Sequence, residues 1–180
     1  MKSSPPARYA HRVTWSVFIL LLLFAILFVT GTASELPPTV ASHFDAAGRP
    51  NAFMSRSGYV RFVLCLAVGL PAIVVAVLWM VYSRATDLKL PNREYWLAPE
   101  RLDRTRAFLV AHGVWFGSLL VTLACFVHWL ELDANRLQPP HLSNQSFAAV
   151  LIAFLIATAA WIGALMFAFR RPAGEARSPE

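Results

Sequence analysis

A chain of 180 residues that is 57% hydrophobic and 14% charged, with a mean hydropathy of +0.53, departs from soluble domains, which run at about 45–50% apolar and about 25% charged. The composition excludes a disordered chain, and it excludes a disulfide scaffold because the two cysteines, Cys65 and Cys125, both sit inside apolar runs. The net charge of +6 would suit nucleic acid if it covered one surface, but it sorts by segment along the chain, which argues for a membrane protein and against a nucleic-acid partner.

A bilayer core about 30 Å thick is crossed by about 20 apolar helical residues. Four runs of that kind are present: residues 13–31, 59–82, 107–130 and 147–169. Only Arg61 is charged within them, two residues from the start of the second run, where a long side chain snorkels to the interface. Backbone polar groups in hydrocarbon must be satisfied internally, and the runs lack the alternation of a barrel strand, so they are predicted helices. The expected fold is therefore an all-α membrane protein, a single domain of four transmembrane helices with segments 32–58 and 83–106 between them. The first run has a competing reading as a signal peptide, since Lys2, Arg8 and Arg12 precede it and Gly31-Thr32-Ala33 offers small residues for cleavage. Its length favours a retained anchor.

Lysine and arginine number three in the N-terminal tail, three in the first outer segment counted through Arg61, six from Ser83 to Arg106, one from Glu131 to Ser146 and three in the C-terminal tail. Alternate segments hold twelve against four. The positive-inside rule then places both termini and segment 83–106 in the cytoplasm, in contact with anionic lipid. Trp15, Tyr59, Trp79, Tyr82, Trp115 and Trp129 lie mostly near run ends, as an aromatic belt requires.

Packing seams are expected where small residues let backbones approach: Gly113 and Gly117 at GxxxG spacing in the third run, and Ala149, Ala153, Ala157, Ala160, Ala164 and Ala168 in the fourth. Pro71, behind Gly69, is expected to kink the second helix. Cys65 and Cys125 fall at similar depth in antiparallel helices and are candidate neighbours, read first as apolar packing residues. His112 is the one ionisable group well inside a run, with proton handling and a neutral bond to a neighbouring helix as its two readings.

The first outer segment has more composition than a connector needs. Pro37 and Pro38 favour extended chain, Val40 to Phe44 a short strand, and Asp45 to Arg49, with Gly48, a turn from which Phe53 and Met54 return toward the second helix. A small extracytoplasmic β-hairpin follows. Gly48 is expected to supply a positive φ, and Phe44 and Phe53 to cover helix ends or enter the interface. In a persisting strand His43 and Asp45 point to one face. His128 and Glu131, at i and i+3, emerge at the same membrane side with Asp133 and Arg61 nearby. His43, Asp45, His128 and Glu131 would form a nitrogen and oxygen set suited to a divalent metal, whereas a salt bridge from Glu131 to Arg61 explains the same residues without one.

The string Leu36-Pro-x-x-Val-x-x-His43-Phe44-x-x-x-Gly48-x-Pro50, set between two membrane helices, resembles an uncharacterised bacterial membrane domain found in sporulation-delay toxin immunity proteins. Pro91-Asn92-Arg93-Glu94-Tyr95-Trp96-Leu97-Ala98-Pro99-Glu100 is similar to a string that follows this domain in many small bacterial members. The resemblance implies a bacterial inner-membrane protein with an outer motif that includes His43, Phe44 and Gly48. The inner cluster Asn92, Arg93, Glu94 and Tyr95 reads either as a partner-docking surface or as a re-entry loop clamped to lipid and helix ends, and Pro99 is expected to open the third helix near Ala98.

Three function classes follow. A non-enzymatic binding, immunity or signalling module, in which the hairpin recognises a peptide or membrane-protein partner through His43, Phe44, Asp45 and Gly48, is favoured because catalytic signatures are missing and no cofactor motif appears. A metal-dependent enzyme using the four-residue set is the alternative, and a transporter component ranks last, since the runs offer no polar path.

Overall fold

The computed structural model describes residues 5–84 and 88–170, with side chains from Arg12 onward. Lys2, Arg171 and Arg177, which enter the charge count, lie outside the described residues.

Helix α1 (Pro5–Thr32) ends in a 3-10 turn, Ala33–Glu35. Strands β1 (Thr39–Phe44) and β2 (Pro50–Ser55) make the hairpin, and α2 (Arg56–Arg84) follows at once, with Ser55 as its cap accepting from the Gly58 amide. A short helix α3 (Arg93–Trp96) precedes α4 (Pro99–Asn135), and α5 (Asn144–Ala168) completes the described chain. Four of these helices, α1, α2, α4 and α5, are long and apolar enough to cross a membrane. The chain is a multi-pass helical membrane protein with a small two-stranded sheet.

Helix α4 is the hub. Its 37 residues reach about 55 Å at a rise of 1.5 Å per residue, so it overshoots the bilayer at both ends. Pro99 occupies its first turn as expected, and its far end runs one turn past the apolar stretch to Asn135. Helices α1, α2 and α5 all pack against it. Phe18 and Ala25 of α1, Ala67 and Val75 of α2, and Val114, Val121 and Cys125 of α4 form the central core. Gly117 is the closest approach in that core: a Cβ there would run into Val75 and into the Phe18 ring, and at Gly113 one would stand 3.1 Å from Leu78. The GxxxG seam therefore packs within the chain. Gly117→Val is expected to lower stability by about 2 kcal/mol through overpacking, read as a lower unfolding midpoint in mixed micelles.

Three expectations need correction. Helix α5 packs with larger residues as well as small ones: Val150, Phe154, Trp161 and Leu165 are half-buried together with Ala157 and Ala168, while Ala149, Ala153, Ala160 and Ala164 face outward. The reason is a specific lock to α4. The Trp161 indole donates to the His112 carbonyl at 2.9 Å, His112 Nε2 donates to the Trp161 carbonyl at 3.1 Å, and the two rings stack 4.4 Å apart. Of the two readings of His112, the bond to a neighbouring helix is the one observed. The second correction concerns the cysteines: both are free, and Cys125 packs in the core as read, whereas Cys65 faces outward. The third concerns Tyr59, which is fully buried and stands in the core instead of an aromatic belt.

The predicted kink has a definite form. Pro71 has no N–H to give and its ring crowds the carbonyl four residues back. The helix answers with a π turn over Cys65–Gly69, in which the Leu70 amide reaches back to the Cys65 carbonyl, and Pro71 itself is fully buried.

Candidate functional site

The hairpin is antiparallel, with Thr39 opposite Ser55, Val40 opposite Met54, Ala41 opposite Phe53, His43 opposite Ala52 and Phe44 opposite Pro50. Register shifts flank His43. These bulges, and the end of β1 at Phe44, overturn the expectation that His43 and Asp45 share a strand face.

Asp45 is instead the organiser of the turn. Its Oδ1 accepts from the Ala47 amide at 2.8 Å and from the Arg49 amide at 2.9 Å. Those bonds hold the carboxyl below its ordinary range, the Arg49 amide contributing most, with help from the Arg49 guanidinium and from His141. A depressed carboxyl pKa gives stability that is present above the ordinary value and is lost as pH falls through the lowered one. Acidification below about pH 4 is therefore expected to speed hydrogen exchange at the Ala47 and Arg49 amides and to leave helix amides unchanged.

Gly48 has φ +75°, the predicted left-handed conformation. It has a second reason to be glycine. The Gly48 carbonyl accepts from the Leu142 amide at 2.9 Å, and a Cβ would collide with the Leu142 carbonyl and press on the His141 ring. Asn144 adds a bond from its amide to the Ala46 carbonyl at 2.8 Å. The hairpin tip is thus clasped to the loop before α5.

Asn135 makes the other anchor. Its Oδ1 accepts from the Ala41 amide at 2.8 Å, and its Nδ2 donates to the Ala41 carbonyl at 2.9 Å and to the Glu131 carbonyl at 2.8 Å. A side-chain amide thereby takes the place of a neighbouring strand on the outer edge of β1. Glu35 and Arg136 pair beside it across the surface, and the carboxylate raises the guanidinium pKa.

Beneath the hairpin, Leu36 and Val40 join Val29, Tyr59, Val63 and Leu132 in a second core. A polar chain crosses it. The Tyr59 hydroxyl lies 2.6 Å from Glu131 Oε2 and 2.9 Å from His128 Nδ1, and His128 Nε2 lies 2.9 Å from Thr32 Oγ1, which donates to the Phe28 carbonyl at 2.7 Å. Tyr59 and His128 are both 0% exposed. Glu131 is bound to Tyr59, and Arg61 Nε donates to the Ser57 carbonyl instead of meeting it, so the predicted salt bridge is replaced.

The proposed metal set of His43, Asp45, His128 and Glu131 does not assemble. Asp45 is spent on the turn, His43 Nδ1 donates to Asn51 Oδ1 at 2.6 Å, and both nitrogens of His128 are engaged. Among the described residues no three His, Cys, Asp or Glu side chains gather as metal ligands. His43 is exposed and Phe44 half-buried, and Phe53 is 55% exposed on β2.

Asn92, at φ 54°, and Trp96 cap the end of α5: the Asn92 amide and the Trp96 indole each donate to the Phe169 carbonyl at 3.1 Å. Helix ends leave such carbonyls without helical partners. The clamp reading thus holds for Asn92 and Trp96. Arg101 lies over the Tyr95 ring at 3.9 Å, and Arg93 and Glu94 are exposed.

Sequence reasoning missed Asn135, Thr32 and the core role of Tyr59. A signal for part of this was present, since His128, Glu131 and Asn135 stand at i, i+3 and i+7 on one stripe of α4.

Residues 17–75 match a family described as a domain of unknown function (DUF1648). That stretch is most of α1, the hairpin and α2 to just past Pro71. The match agrees with an uncharacterised domain, and the likeness to toxin immunity proteins rests on the motif alone. No curated protein and no solved structure matches the chain.

Proposed function

We propose that the protein is a non-enzymatic accessory module of the bacterial inner membrane, of an immunity or signalling kind, whose outer hairpin recognises an extended peptide by adding it as a strand to β2. The observation that carries this reading is the unequal state of the two hairpin edges. Ala41 turns its N–H and C=O outward to Asn135. In an antiparallel ladder the residue opposite does the same on its own side, so Phe53 turns its backbone groups to the free edge. An exposed strand edge held on a rigid base is the platform used in strand addition. The exposed Phe53 ring supplies an apolar contact beside it.

The twelve-to-four distribution of basic residues supports a cytoplasmic placement of both termini and an outward-facing hairpin. The open edge then faces the extracytoplasmic space, where a peptide toxin or a partner's extended segment would meet it.

Photo-crosslinking in living cells tests the reading. Probes placed at Phe53 and at Ser55 are expected to capture one peptide segment at residues spaced two apart, the ladder that strand addition imposes. A probe at Leu137, half exposed beyond α4, serves as control. Lipid adducts alone, or identical capture from Leu137, would reject recognition by the β2 edge.

A further inference from the structure

At the end of the bundle opposite the hairpin, Trp96, Phe108, Ala168 and Phe169 floor a cleft of about 340 Å³ whose rim carries Arg101 and Arg104. We infer that this cleft seats an anionic phospholipid, with its phosphate at the two guanidinium groups and an acyl chain running along Phe108 and Ala168. The inference is independent of what the hairpin binds.

Position is the first argument. The change from charge to hydrocarbon along α4 falls between Arg106 and Ala107, and the cleft straddles it. Arg101, Arg104 and Phe108 stand at i, i+3 and i+7, one stripe of the helix, with Phe108 about one turn deeper than Arg104. A phospholipid has the same layout, an anionic group at the interface and hydrocarbon directly below it. Chemistry is the second argument. Guanidinium forks suit phosphate oxygens, and Arg101 is held in place over the Tyr95 ring at 3.9 Å. Glu94, with Arg93 and Asn92, lines the adjoining cleft, which Arg101 and Tyr95 also border, while Arg104 and Thr105 line this one.

Preorganisation is the third. The floor is fixed by the Trp96 indole on the Phe169 carbonyl, by the Thr105 hydroxyl on the Trp96 carbonyl at 2.8 Å, and by the packing of Phe169 on Trp96 and Phe108, all within 5.6 Å between ring centroids. Phe169 is 3% exposed. The pocket therefore exists before a ligand arrives, and little ordering is left for the ligand to cause. An interfacial Trp and a cationic rim on the side that the basic segments mark as cytoplasmic place it against the anionic leaflet.

The test is native mass spectrometry of the full chain in a neutral detergent, titrated separately with phosphatidylglycerol, phosphatidylcholine and free glycerol phosphate. Phosphatidylglycerol is expected to bind about tenfold more tightly than phosphatidylcholine, as two interfacial cations imply, and glycerol phosphate to bind no better than phosphatidylcholine. The preference is expected to vanish in Arg101→Gln/Arg104→Gln and to survive in Arg49→Gln/Arg61→Gln, which removes equal charge at the other end. Equal binding of the two lipids, equal loss in both double variants, or tight binding of free glycerol phosphate would each overturn the lipid site, the last in favour of a soluble anion. A wild-type-like unfolding midpoint for Arg101→Gln/Arg104→Gln separates loss of the site from loss of the fold.

Discussion

Replacing Asn135 with leucine is expected to release the outer hairpin from the bundle while the four membrane helices stay assembled. Three hydrogen bonds leave with the amide, two of them to Ala41 and one to the Glu131 carbonyl. Ala41 is 0% exposed, so its N–H and C=O would be stranded where water does not reach them, and each stranded group costs about 1–3 kcal/mol. A local loss of about 3 kcal/mol makes hairpin opening roughly a hundredfold more frequent. Hydrogen exchange across residues 39–55 measures this directly. Protection there is expected to fall by about that factor, with α4 amides near Val121 unchanged. Asn135→Asp keeps an acceptor for the Ala41 amide and loses both donors, so it should fall between the parent and leucine. Unchanged protection in Asn135→Leu would mean that the clasp of Gly48 to Leu142 holds the hairpin alone. Because the open β2 edge is useful only on a fixed base, the same variant is also expected to weaken the crosslinking ladder from Phe53.

How much of this was legible depends on the kind of force involved. The four spans were readable because hydrocarbon imposes one simple demand, a helix of sufficient apolar length. The hairpin was readable because Pro37, Pro38 and the Asp45–Gly48 turn act locally, and Gly48 even announced its φ. What stayed hidden was lateral. Asn135 lies 94 residues from Ala41, and nothing in its neighbourhood says that its amide will stand in for a strand. The alanines of α5 looked like a seam because small residues permit close approach, but permission is not attraction. The His112–Trp161 exchange supplies specific bonds, and the face it turns inward carries Val150, Phe154 and Leu165 beside Ala157 and Ala168. The metal set failed for a related reason: residues drawn to one membrane side by topology were each already committed to a nearer partner, Asp45 to its own turn and His128 to Tyr59 and Thr32.

Tyr59→Phe is expected to be the most destabilising single-atom deletion in the outer half of the molecule. The chain Glu131–Tyr59–His128–Thr32–Phe28 has a definite proton count. Thr32 has one hydroxyl hydrogen and gives it to the Phe28 carbonyl, so it accepts from His128 Nε2. The rest closes in two ways: a carboxylic acid donating to Tyr59 and Tyr59 to His128 Nδ1, or Tyr59 donating to a carboxylate and accepting from a doubly protonated imidazole. Both need the tyrosine oxygen in the middle. Phenylalanine keeps the ring, and with it the packing on Val29, Leu36 and Val63, but leaves His128 and Glu131 without the partner they share. The loss is expected at about 3 kcal/mol, read as a lower unfolding midpoint in mixed micelles. Burying apolar groups in place of a whole polar set is close to neutral, in contrast to removing one member. Tyr59→Phe/His128→Phe/Glu131→Leu should therefore recover most of the lost stability. A parent-like midpoint for Tyr59→Phe alone would show that water reaches Glu131 and replaces the hydroxyl. The triple variant also separates folding from function. If it folds at parent stability and still captures peptide at the β2 edge, the polar chain serves the fold; if it folds but captures nothing, the chain's protons belong to the working of the site.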